Sequence, residues 1–158
     1  MFQKKTLFII CTVLLFTACK SSFEVSNVDY AHRIESVLIP EKDGQVYDQR
    51  HGLHFNILPI QQQEFNDIDE LKVDEVRLIR NSEGYYFITA NGFNHVYVME
   101  QGEGKLILKE KIKVAENGLI DPAFNLRSPY VHLLDQKSST IVSLTSSGIN
   151  SIEKEDQS

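Results

Sequence analysis

Cysteine is scarce in this chain, and its placement matters more than its number. Both cysteines, Cys11 and Cys19, fall within the first nineteen residues. Whatever folds after them therefore lacks a disulfide, a thiolate zinc ligand and a thiol nucleophile. Stability has to come from packing. Basic residues are in deficit as well: 16 Lys and Arg stand against 22 Asp and Glu, a net charge of −6. Removing residues 1–18 takes Lys4 and Lys5 away and leaves a net charge of about −8. That balance works against binding nucleic acid, or an anionic surface, through a basic patch. The apolar run near the N-terminus, Leu7 to Phe16, is short at ten residues. At 1.5 Å per residue it covers about half of a ~30 Å hydrocarbon core, so a spanning helix is not expected.

Several catalytic and metal-binding patterns are missing too. There is no Gly-x-Ser-x-Gly elbow. The acidic run Asp67, Asp69, Glu70, Asp74, Glu75 has Lys72 where a calcium loop needs Gly and Leu78 where it needs a bidentate Glu. It reads as a solvated face. Gly102-Glu103-Gly104-Lys105 joins two strand-like runs instead of leading into a helix N-terminus, so it is a turn and not a phosphate loop. The five histidines, His32, His51, His54, His95 and His132, show no paired spacing that would converge on one ion. No metal, cofactor or enzymatic activity is expected.

What is present begins with Lys4-Lys5, the uncharged run Leu7–Phe16 and then Thr17-Ala18-Cys19, after which the chain turns polar at Lys20-Ser21-Ser22. A basic start, a short apolar stretch and a small-residue end are the marks of a secretory signal. Phe16-Thr17-Ala18-Cys19 resembles the lipobox of bacterial lipoproteins, with Phe16 in place of the preferred Leu. The resemblance covers the first twenty residues. It implies cleavage before Cys19, diacylglycerol on the Cys19 thiol and acylation of the new amine. Each buried methylene contributes roughly 0.8 kcal/mol, and two or three chains on one residue make attachment lasting where one would be reversible. Lys20 in place of an Asp after the Cys implies the outer membrane.

The 140 residues from Cys19 onward suit one domain. Residues 19–27 read as a lipidated start and tether, 28–152 as a β-rich domain and 153–158 as a disordered tail. A first strand is expected over Ile34–Ile39, ended by Pro40. Leu53, Phe55 and Ile57 alternate with His54 and Asn56 in a second, ending at Pro59. Phe65, Ile68 and Leu71 are spaced by three within the polar stretch Gln61–Glu70, which predicts one short helix or an ordered loop. Strands follow at Val76–Ile79, Tyr85–Thr89 and His95–Met99, with Asn91-Gly92 marking a tight hairpin whose two central residues take positive φ. Leu106–Val114 is a further strand, its lysines 109, 111 and 113 guarding an edge.

The last third repeats this theme at an offset of 44 residues: Tyr86-Phe87 lies over Tyr130-Val131, Tyr97-Val98 over Ile141-Val142 and Gly104 over Gly148. Strand–hairpin–strand at that period is the spacing of β-propeller blades. A propeller needs at least four blades, however, and only two copies fit. The expected fold is mainly β, an antiparallel meander or small sandwich with at most one short helix. Tyr85, Tyr86, Phe93 and Tyr97 gather in one hairpin region; one face of aromatic side chains can fill the core and the other form a binding surface, or, as is commoner, a second layer covers both. The functional expectation is a lipid-anchored envelope module that binds an envelope protein without catalysing a reaction. An immunity or inhibitor lipoprotein is the alternative, and a binder of small ligands or glycans is another.

Overall fold

The computed structural model describes residues 34–67 and 70–154. The predicted signal segment, Cys19 and the tether lie outside the described residues. Among the described residues eleven strands form three antiparallel sheets, with one helix beside them, in keeping with the mainly β expectation. Five strands make the central sheet: β1 (Ser36–Leu38), β4 (Val76–Arg80), β5 (Tyr86–Ala90), β6 (His95–Gly102) and β7 (Lys105–Lys113), in that spatial order. A second sheet orders β11 (Gly148–Lys154), β10 (Thr140–Thr145), β9 (Tyr130–Asp135) and β8 (Pro122–Arg127). The small hairpin of β2 (Gln45–Asp48) and β3 (Leu53–Asn56) runs into helix α1 (Leu58–Phe65).

The central sheet is covered on both faces, which explains β5. Its five residues, Tyr-Phe-Ile-Thr-Ala, are all buried. An uninterrupted apolar and β-branched run is what a strand needs when neither face meets water. Towards the hairpin and α1 it sends Tyr86, Ile88 and Ala90, which join Val46, Ile57, Ile60, Val76, Leu78, Phe93 and Tyr97. Towards the second sheet it sends Phe87, which joins Ile79, Val96, Val98, Phe124, Val131, Leu133, Val142 and Leu144. Two cores thus share one sheet.

The four-strand order recurs. β4 to β7 and β8 to β11 are consecutive meanders, and each strand of the first has its counterpart in the second. The two copies pack against each other as one sandwich, the arrangement expected for two units. The 44-residue offset is kept only locally: Tyr86 to Tyr130 keeps it, but the β6 and β10 starts, His95 and Thr140, do not.

Local details differ from the sequence reading in three places. β5 and β6 pair as the hairpin expected across Asn91-Gly92, but its turn is not the two-residue one. Only Gly92 there has positive φ (82°), and Phe93 N–H donates to Ala90 O, the pattern of a type II turn inside a four-residue connection. The two-residue turn with both φ positive is Glu103-Gly104, at 33° and 79°. The helix begins earlier than expected, because Pro59 sits in its first turn, where a missing N–H costs nothing. It ends at Asn66, whose left-handed φ of 55° closes the last turn, so Phe65 is its last residue; Ile68 lies outside the described residues. Lastly, β11 runs on through Glu153 and Lys154, placed in the tail by sequence, which pair with Ile141 and Thr140.

The central sheet has two unlike edges. On the β1 side the sandwich is tied shut: Glu35 accepts Phe124 N–H of β8 at 2.8 Å and the Arg77 guanidinium of β4 at 3.2 Å. On the opposite side β7 and β11 touch at only a few points. In β11, Ile152 pairs with Val142 and Ile149 with Leu144, the bulge at Asn150 keeping both isoleucines on the inner face. Neither is covered: Ile149 is 41% exposed and Ile152 60%. Ile107 and Leu108 of β7 are exposed as well.

Candidate functional site

The candidate site residues of the hairpin region lie mostly inside the molecule. Tyr86 is buried, with the edge of His51 against its ring at 5.6 Å and the Arg80 guanidinium 5.4 Å from its centroid. Phe93 and Tyr97 are fully buried and meet edge to face at 6.2 Å. Tyr85 is half-buried against the second core, with the Lys109 ammonium 3.8 Å above its ring. Tyr86, Phe93 and Tyr97 are therefore core, because the hairpin and α1 form a third layer over them, while Tyr85 packs on the side of the second sheet.

Two polar clusters bring together residue types that carry chemistry. The first centres on Glu64, near the end of α1, whose side chain is only 1% exposed. Its Oε1 accepts the Tyr97 hydroxyl at 2.6 Å and His95 Nδ1 at 2.8 Å, and its Oε2 accepts Asn94 N–H at 2.8 Å. Lys111 Nζ lies 3.7 Å away. Burial pushes the Glu64 carboxyl upward, but the bonds from Tyr97, Asn94 and His95 outweigh it and hold the group below its ordinary value. Burial and the adjacent carboxylate push the Tyr97 hydroxyl far above the usual tyrosine range. The cluster pins the helix layer to β6. Sequence reading missed Glu64, which looks like any other polar residue of Gln61–Glu70 until Asn94, His95 and Tyr97 arrive from a distant strand.

The second cluster contains Ser36, Asp48 and His51. The order is wrong for acyl transfer, in which His must take the serine proton and the carboxylate must orient the His. Here Ser36 Oγ donates to Asp48 Oδ2 at 3.2 Å and His51 Nδ1 meets the same oxygen at 2.6 Å. Asp48 Oδ1 accepts Arg50 N–H at 3.0 Å. Asp48 is the hub of the β2–β3 turn and spends both oxygens on it. His54, three residues past His51, is instead stacked on Tyr47 at 4.2 Å on the outer side of the hairpin. Among the described residues no group of three or more His, Cys, Asp or Glu is placed to hold a metal ion. No helix among them is long and apolar enough to cross a membrane.

Both clusters act as internal struts, and the Glu64 cluster predicts the pH response. Tyr97 keeps its proton in the fold where the unfolded chain releases it near 10.0, so stability should fall as pH rises above that value. Ultraviolet titration should show one tyrosine held back until unfolding, and Tyr97→Phe should remove that late step. Glu64 has the opposite limb. Its carboxyl is held below the ordinary 4.5, so its contribution is complete above that pH and is lost as pH falls below it. Melting curves of Glu64→Gln should lose less stability than wild type over that acid range; equal slopes would show that Glu64 does not carry it.

The largest exposed apolar side chains lie mainly on edge strands: Ile107 and Leu108 on β7 and Ile149 and Ile152 on β11, with Ile34, Val37 and Ile39 along β1 and its flanks and Tyr47 on β2. No protein-family model, curated protein or solved structure matches the chain.

Proposed function

We propose that this chain is an envelope lipoprotein, anchored through acylated Cys19 in the outer membrane, whose β-rich body binds an envelope protein as a non-enzymatic accessory module. The observation that favours an interaction role is the open seam between β7 and β11. Ile149 and Ile152 face inward from their sheet, yet nothing in the described body covers them. Uncovered apolar side chains flanked by charge (Glu153 and Lys154 follow Ile152 here) suit a protein partner. The carboxylates of the two polar clusters, by contrast, are committed to holding layers together.

The test is capture of partners from detergent-solubilised membranes by wild type and by Ile149→Asp/Ile152→Asp. The wild type should bring down envelope proteins that the variant loses, with circular dichroism showing the variant still folded. Retention of the same partners by the variant would remove the seam from the account. A single toxic enzyme captured one-to-one would favour the inhibitor reading instead.

A further inference from the structure

The opposite edge of the central sheet carries the second apolar strip, and its chemistry differs from that of the seam. Ile34 (49% exposed), Val37 (47%) and Ile39 (79%) follow one another along β1 and its flanks. Val37 and Tyr47 border one shallow groove of about 330 Å³ between β1 and β2. Tyr47 is half-exposed, its ring steadied by the His54 stack.

We propose that this edge rests on the lipid surface, so that the body is held at the bilayer by β1 and Tyr47 as well as by its acyl chains. This rests on the reading of Cys19 as the anchor. Three observations favour lipid over a protein strand as the occupant. The backbone leading into β1 is already engaged: the Arg50 guanidinium donates to the carbonyls of Ile34 at 2.7 Å and Glu35 at 3.0 Å. A pairing strand would have to displace it, whereas lipid needs only the side chains. Second, β1 is the first described strand after the anchor, with residues 20–33 between Cys19 and Ile34. That stretch reaches at most about 50 Å when extended, so the tether keeps the strip at high effective concentration near the membrane and a weak apolar contact suffices. Third, the turn beside the strip carries Glu41, Lys42 and Asp43, a mixed rim with no basic excess. The contact is thus apolar, with Tyr47 at the headgroup level where an amphipathic ring is favoured. The arrangement leaves the β7–β11 seam on the far edge, turned to partners.

Residues 20–158 contain no cysteine, so single replacements can be labelled uniquely once Cys19 is acylated. Full acylated protein carrying Val37→Cys, Ile39→Cys or Ile152→Cys, each with an environment-sensitive fluorophore, is reconstituted in phosphatidylcholine vesicles containing spin-labelled lipid. The first two labels should lose more than half of their emission, with no relief at high salt, while the label at 152 keeps its own. Equal emission at all three positions, with Cys19 shown by mass spectrometry to be acylated, would overturn the inference and leave the lipoprotein reading standing. Quenching that high salt abolishes would also overturn it, because the contact would then be electrostatic. An unmodified Cys19 with no vesicle attachment would remove the anchor itself and this inference with it.

Discussion

Glu64→Ala should be the most damaging single substitution in the described body, costing about 3–5 kcal/mol. Three donors converge on a carboxylate that is 1% exposed, and truncation leaves Tyr97 Oη, Asn94 N–H and His95 Nδ1 facing an apolar gap. A buried donor left unpaired costs about 1–3 kcal/mol, so the sum is large against a total stability of about 5–15 kcal/mol. Glu64→Gln keeps the shape and one acceptor oxygen, and should cost about 1–2 kcal/mol. Denaturant unfolding separates the two. Because Tyr97 and Glu64 share a bond, the cycle through Tyr97→Phe should show a coupling of at least about 0.5 kcal/mol. Additive single effects would mean that the bond does not hold the helix layer to β6.

Cys19→Ala should move the protein out of the membrane fraction entirely, without changing the fold of its body. The strength of attachment follows from chain number: at roughly 0.8 kcal/mol per buried methylene, loss of all acyl chains removes far more binding than the β1 edge can replace. The remaining apolar contact is too small to retain a chain of net charge about −8 that has lost its tether. Fractionation with alkaline carbonate, together with circular dichroism of the released protein, checks both halves. Release with an altered spectrum would mean that the anchor also supports the fold.

Strand content was legible because the strands say what they bury. Val76–Ile79, Tyr86–Ala90 and His95–Met99 carry β-branched and aromatic runs bounded by turn residues, and each became a strand of the central sheet. The aromatic cluster was legible as a cluster with a covered and an open arrangement both available, since period two shows only that Tyr86 and Phe87 face opposite ways. Whether one face is wet depends on a third layer, built from Val46, Ile57 and Ile60 some thirty to forty residues upstream. The hairpin across Asn91-Gly92 was legible but its turn type was not, because a turn obeys the strand ends that it joins. Leu119 accepts Gly92 N–H and donates to Phe93 O, so that connection is held open by the strap from β7 to β8. Gly118 lies so close there that an added Cβ would meet Gly92 O at 2.8 Å. The helix was legible as a short amphipathic piece, yet its start depended on reading Pro59 as a first-turn residue instead of a stop. Glu64 and the bare inner face of β11 were not legible at all, because both are defined by what approaches them from elsewhere in the chain.

The claim on which placement and partner both depend is that residue 19 of the native protein carries lipid. Mass spectrometry of the N-terminal fragment of protein isolated from its own membranes measures this directly. The account predicts a chain that begins at Cys19 with the mass of diacylglycerol, and of an acyl group on its amine, added. An intact Met1 start, or a Cys19 of unmodified mass in membrane-bound protein, would contradict it.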